Sequence, residues 1–233
     1  MKLAVIPARG GSKRIPRKNI KPFCGKPIIA WSIAAAQDSG CFDRIIVSTD
    51  DDEIAAVARA EGAETPFIRP AALADDHAGT ITVVAHAIQA LEMQGGPVLE
   101  HVCCIYPTAP LLLPAFLREA YDRLVGTGKA FAFGVAGYGH PIQRALRLGS
   151  DGIVSMIEPG CAMVRSQDLV PAFHDAGQFC CGTRDAFLAG VSPLSSGTSI
   201  AVVLPRSRVV DIDTPEDWDL AEALHRALGL KGP

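Results

Sequence analysis

The chain has 233 residues, 48% of them hydrophobic and 20% charged, which supplies apolar material for a sizeable core and excludes a disordered chain. Its formal charge of −3 argues against a dedicated nucleic-acid binder, which is usually strongly basic. No apolar run reaches the roughly 18 residues of a membrane span, and residues 1–6 are too short an apolar run before Arg9 to be a signal peptide; a cytoplasmic protein with no membrane partner is expected.

Residues 3–6 are an apolar run stopped by Pro7 and are predicted as a buried first strand. A loop rich in Gly, Pro, Lys and Arg follows over 8–23. Pro27 suits the first turn of a helix in which Ile28, Ile29, Trp31, Ile33 and Ala34 recur at helical spacing as far as Ala36. After a strand at 44–48, the acidic residues 50–53 open a helix with Ile54, Val57 and Ala58 on one face and Gly62 as its stop. Strands near 65–68, 98–105 and 130–135 then alternate with helices near 80–93 and 114–125. Such alternation implies an α/β fold with a parallel sheet covered on both faces. Between 138 and 173 the helical period gives way to short β-like pieces, 145–148 and 153–156, which read as an excursion from the main sheet. The core pattern resumes over 183–188, with a strand at 200–204 and a last helix that Thr214 caps, Pro215 starting it and Asp217 closing a capping-box-like pattern. No linker divides the chain, so a single domain over 1–233 is expected.

The seven cysteines include two vicinal pairs and no Cys-x-x-Cys; neither a disulfide framework nor a zinc site is indicated, and they read as small apolar filler. Charge is more informative. Residues 1–37 carry Lys2, Arg9, Lys13, Arg14, Arg17, Lys18, Lys21 and Lys26 and no acidic residue, against 14 basic and 25 acidic residues in the remainder. A positive segment on an otherwise negative protein is a local anion site.

In open parallel sheets ligands bind beyond the carboxyl ends of the strands, which directs attention to the loop after strand one, Ala8-Arg9-Gly10-Gly11-Ser12-Lys13-Arg14-Ile15-Pro16-Arg17-Lys18-Asn19-Ile20. It is neither a Walker A loop nor Gly-x-Gly-x-x-Gly. Gly10 and Gly11 lack a Cβ, so their N–H groups can approach an anion, and Ser12 adds a hydroxyl. Arg9, Lys13 and Lys18 supply charge-assisted hydrogen bonds to phosphate oxygens. A plain turn with solvated lysines is the alternative; the position directly after strand one and the lack of acids favour phosphate. Single-strand binding is disfavoured because Phe23 is the only aromatic in the stretch.

The second constellation is Val210-Asp211-Ile212-Asp213-Thr214. In an extended segment Asp211 and Asp213 point one way and Ile212 the other. Two carboxylates on one face suit Mg²⁺, which takes its remaining ligands from phosphate and water. The alternative, that Asp213 merely helps cap the last helix, explains Asp213 and leaves Asp211 without a reason. Weaker signals are Arg69-Pro70 with Asp75 or Asp76, which frame a base or sugar pocket or form an ordinary loop, and His174-Asp175-Ala176-Gly177-Gln178-Phe179, whose His174 binds substrate or caps a turn. His77, His86, His101, His140 and His225 show no metal-ligand spacing and read as structural.

With the loop and the aspartates stand residues 42–50, Arg69-Pro70 with Leu73-Ala74-Asp75, Pro107-Thr108-Ala109-Pro110, and the run from Asp211 to Asp217. Together they resemble the CMP-sialic acid synthetases, or acylneuraminate cytidylyltransferases, nearly end to end. The resemblance implies a nucleotide-diphospho-sugar transferase fold (three-layer α/β/α, Rossmann-like), CTP as donor, Mg²⁺ as cofactor, and a nine-carbon 2-keto acid sugar as acceptor. It further implies that Arg9, Ser12, Lys13, Lys18 and Asn19 bind CTP, that Arg69 lies near the nucleotide, that Asp211 and Asp213 hold the metal, and that the chain is a homodimer through the excursion at about 138–173. Tyr106-Pro107-Thr108-Ala109-Pro110 stands where sialic acid enzymes have Gln-Pro-Thr-Ser-Pro, and His174-Asp175-Ala176-Gly177 where they have Arg-Pro-Asn-Gly. Both resemble the pseudaminic acid branch, with Cys180-Cys181-Gly182 replacing that branch's Tyr-Trp-Gly; Tyr106, His174, Asp175 and Gln178 are thus the candidate sugar contacts.

The expected reaction is in-line attack of the sugar's C2 hydroxyl on the α-phosphorus of CTP, with Lys18, Arg9 and Asp211 nearest the chemistry. Rival readings are a neuraminate or legionaminate cytidylyltransferase and, from another class, a non-catalytic nucleotide-sensing module; intact Asp211 and Asp213 speak against the latter.

Overall fold

A computed structural model of the chain describes residues 1–75 and 78–230. In chain order it contains β1 (Lys2–Pro7), the two-residue strands β2 (Pro22–Phe23) and β3 (Lys26–Pro27), α1 (Ile28–Ser39), β4 (Arg44–Ser48), α2 (Asp52–Ala60), α3 (Thr80–Met93), β5 (His101–Ile105), α4 (Pro114–Thr127), β6 (Phe131–Gly137), β7 (Leu146–Leu148), β8 (Val154–Met156), β9 (Phe173–Thr183), α5 (Arg184–Leu188), β10 (Ser199–Val203) and α6 (Pro215–Ala227). The main sheet has the order β10-β6-β9-β5-β1-β4. Strand alternation splits β1 between two cores. Ala4 and Ile6 pack with Ile29 and Ile33 of α1 and Leu117 of α4, whereas Leu3 and Val5 pack with Val84 and Ile88 of α3 and Phe187 of α5. Three layers, helix on sheet on helix, result.

Three expectations need correction. The sheet is mixed: β9 runs antiparallel to both β5 and β6, inserted between two parallel halves. The sequence disguises this strand because its first half carries Asp175 and Gly177; Gly177 takes a left-handed φ of 61°, Asp175 accepts its N–H at 2.8 Å, and the pairing with β6 shifts register there. Residues 65–68 are not a strand; isolated bridges pair Glu64 with Ile46 and Ile68 with Thr49. Two of the seven cysteines also do more than fill space. Cys103 and Cys181, opposed in register across β5 and β9, are joined as a disulfide. Cys104 on the other face stays a free thiol, which burial pushes up to about 12.

Within the excursion, β7 and β8 form a separate antiparallel hairpin, with Leu146, Leu148, Val154, Met163 and Val170 all exposed. Among the described residues no helix is long and apolar enough to cross a membrane.

Candidate active site

A third, smaller core joins the two ends of the chain. Ile15 and Phe23 of the first loop pack with Ile28 and Trp31 of α1, and with Ile212, Trp218 and Ala221 at the start of α6. The rings of Phe23 and Trp218 meet edge to face at 5.4 Å, and the Trp31 indole donates to the Phe23 carbonyl at 3.0 Å. Ile212, 1% exposed, is the apolar residue between the two aspartates, so its burial presses them toward the basic loop. Lys18 Nζ consequently donates to the Ile212 carbonyl at 2.7 Å and lies 3.4 Å from Asp213 Oδ1, while Arg14 Nη2 lies 2.8 Å from Asp213 Oδ2. The capping alternative for Asp213 is settled by the same geometry: Asp217, not Asp213, accepts from the Thr214 N–H, and the Thr214 hydroxyl accepts from Asp217 N–H. Asp211 is exposed, yet partial desolvation and the neighbouring Asp213 charge raise its carboxyl above the usual range.

The loop itself is held from several sides. Ala8 N–H donates to Ser48 of β4 at 2.9 Å, and the Asn19 amide, buried, donates to the Arg9 carbonyl at 2.9 Å. Arg17, with a left-handed φ of 55°, forks onto Asp51 at 2.5 and 2.9 Å and onto Glu53 at 2.5 Å. Arg14 and Arg17 therefore serve to fasten the loop. The Gly10 N–H, expected to face an anion, donates to Asp50 Oδ1 at 3.0 Å. Gly10 is required for contact with the protein itself, since a Cβ there would fall 2.7 Å from Asp51 Oδ2. Gly11 does face open space, a Cβ there meeting nothing within 4 Å.

Arg9, Ser12, Lys18, Asn19, Arg69 and Tyr106 together line a crevice of about 230 Å³ over the carboxyl ends of β1 and β5. Arg69 is 4% exposed; its guanidinium donates to the Ser48 hydroxyl at 3.1 Å and to the Ser48 carbonyl, and burial lowers its pKa. The cation is hydrogen-bonded to neutral oxygens, attracted by Asp50 and, less strongly, repelled by Arg9, so two positive charges face the same crevice. Tyr106 pairs its hydroxyl with Thr80, and burial keeps it a phenol. Thr80 and Thr108 also line it; Thr108 belongs to the Pro107–Pro110 motif, whereas Thr80 carries only the signal of a helix start. Asp75 shares a shallower cavity with Asp50, Arg69 and Pro70, and Asp76 and His77 lie outside the described residues. Lys13 is exposed and does not line the crevice.

The sugar candidates separate. Gln178, 2% exposed, donates its amide to the Arg208 carbonyl, which ties β9 to the run leading into Asp211. His174 and Asp175 sit at the start of β9; His174 lines a neighbouring cavity with Tyr138 and Arg206, while the Asp175 carboxylate accepts from the Gly177 N–H. The histidines read as structural largely pack on rings: His86 on Phe67, His101 on Tyr121, His225 on Phe23 and Trp31.

The sequence profile of the cytidylyltransferase family matches residues 3–155. The chain belongs to that family. A pseudaminic acid cytidylyltransferase of Campylobacter jejuni is 46% identical over 224 residues, covering 96% of each chain. The CMP-N,N'-diacetyllegionaminic acid synthase of Legionella pneumophila is 34% identical over 95% of each. Among solved structures, CMP:2-keto-3-deoxy-manno-octonic acid synthetase complexed with CTP superposes with a TM-score of 0.69 at 17% identity, over 98% of this chain and 99% of that one. That likeness establishes the nucleotide-diphospho-sugar transferase fold expected from the sequence. The chain is thus a nucleotidyltransferase.

Proposed function

We propose that the chain transfers CMP from CTP to pseudaminate, forming CMP-pseudaminate and diphosphate. The observation that carries the reading is the meeting of Lys18 with Asp213 and the Ile212 carbonyl at the edge of a crevice lined by Arg9, Ser12, Lys18 and Arg69: a cationic lining joined through Lys18 to an acidic pair, the two parts that a metal-bridged triphosphate needs. The acceptor is drawn from the 46% identical relative, which exceeds the identity to the legionaminate enzyme.

In this reading the C2 hydroxyl of the sugar attacks the α-phosphorus and loses its proton to water, a P–O bond forms, and the bond to the diphosphate oxygen breaks in line. Lys18 neutralises charge developing at the α-phosphate; Arg9, Gly11, Ser12 and Lys13 receive the diphosphate, with Gly10 shaping the loop and Asn19 fixing Arg9. Arg69 faces the nucleotide from beneath, and Tyr106, His174 and Asp175 face the sugar. Asp211 and Asp213 would hold Mg²⁺. Hard carboxylate oxygens that repel one another suit that ion, and among the described residues no larger cluster of His, Cys, Asp or Glu competes for it. When bound, the metal supplies charge neutralisation on phosphate oxygens. Dependence on CTP fits a cytoplasmic location, and the apolar β7–β8 hairpin fits a homodimer.

The test offers CTP with pseudaminate, legionaminate or N-acetylneuraminate and measures diphosphate release. The highest kcat/KM is expected with pseudaminate; a preference for either other acid reassigns the acceptor, and no release with any of them removes the reading.

A further inference from the structure

A second cavity, of about 540 Å³, opens at the same sheet edge on the far side of β9, lined by Tyr138, Gly139, His174, Arg206 and Val209. The Tyr138 and His174 rings lie 5.1 Å apart at 61°, and the His174 ring is oriented by its Nδ1 lying 2.8 Å from the Asp175 carbonyl. Arg206 lies directly over Gly139, where a Cβ would come within 2.9 Å of its Cζ. No hydrogen bond or ion pair holds that guanidinium among the described residues. The aromatic pair and a donor-only group therefore converge on one space, and the missing side chain at 139 keeps the guanidinium there.

The run that ends in the acidic pair also borders this space, through Val209. Val209 is extended, so Val209, Asp211 and Asp213 share one face of their run while Val210 and Ile212 turn to the core. Two strand spacings, about 10 Å, separate the ends of β5 and β6, and with them Tyr106 from Tyr138. The acceptor's chemistry orients it across that gap. Its attacking hydroxyl and its carboxylate sit on one carbon, so both stay near Lys18 and the acidic pair; what reaches beyond β9 is the ring's far end and its tail, which bear the acylamino groups.

We infer that this cavity is the acylamino subsite of the acceptor, Arg206 donating to an amide carbonyl and the Tyr138–His174 pair packing on the acyl methyl. The inference rests on the proposed acceptor class and assigns Arg206, Tyr138 and Gly139 roles that the loop and the aspartates do not cover.

Diphosphate release by Arg206→Ala, Arg206→Lys and Gly139→Ala is measured with pseudaminate and with a nonulosonic acid carrying hydroxyls in place of acylamino groups. Loss of one charged hydrogen bond predicts a KM for pseudaminate raised about tenfold or more in Arg206→Ala, an unchanged KM for CTP, and a collapse of the preference for the acylated acid. Gly139→Ala keeps the charge but displaces it and is expected to show the same pattern, while Arg206→Lys recovers part of the loss. An unaltered preference in Arg206→Ala and Gly139→Ala, or a KM for CTP that moves equally, overturns the subsite alone. A wild-type protein that uses no nonulosonic acid overturns both this assignment and the reading beneath it.

Discussion

Asp211 and Asp51 are carboxylates that neighbouring charge moves in opposite directions. At Asp211, desolvation and Asp213 raise the pKa, so the charge is held against its environment, the behaviour of a group with a task. Asp211→Asn keeps the shape and is expected to leave the melting temperature nearly unchanged while lowering diphosphate release on the order of a hundredfold; near-normal release in the folded variant would remove Asp211 from the chemistry. At Asp51 the Arg17 fork, opposed by burial and helped by the Ile54 N–H, lowers the carboxyl from 3.8 to about 2. The folded state therefore binds this proton less readily than the unfolded one. Its contribution is complete above pH 4 and fades as pH falls toward 2, by about 1 kcal/mol once the partial exposure of Arg17 is allowed for. Urea midpoints at pH 5 and pH 2.5 are expected to differ more in wild type than in Asp51→Asn, in which the α2 cap is retained; equal differences would refute the linkage.

At the scale of elements, the legible parts were those whose signal is local. The bounds of β4 and α3 follow from apolar runs and periodicity, and the α6 start from Thr214, Pro215 and Asp217. β9 was hidden because an antiparallel strand between two parallel ones needs no local mark beyond its partners, and Asp175 and Gly177 read as loop. The contact between the first loop and α6 was equally non-local, resting on Ile15, Phe23, Ile212 and Trp218. Ile212→Ala removes a side chain that is 1% exposed and is expected to cost about 2–5 kcal/mol, measured by urea unfolding. Because the same side chain seats both aspartates, kcat is expected to fall as well; full activity in a destabilised variant would show that the aspartates are held by other means.

At the scale of the whole molecule, Leu146 and Leu148 of β7 are 60% and 71% exposed and Met163, beyond β8, is 92% exposed, an apolar face that a second copy would cover in the proposed homodimer. Leu148→Lys is expected to shift sedimentation equilibrium from dimer to monomer; a wild type that sediments as a monomer at micromolar concentration would contradict the homodimer.

Composition, charge order and periodicity were enough to establish an α/β chain with a cationic loop after its first strand and two aspartates before its last helix, because each of these is written within a few neighbouring residues. Only the tertiary structure decided that Arg14 and Arg17 fasten the loop, that the Gly10 N–H goes to Asp50, that Gln178 ties β9 to Arg208, and that Lys18 reaches Asp213 across 195 positions. Those pairings depend on which strands lie side by side and which apolar side chains bury together, a choice made by the packing of the entire sheet and its cores.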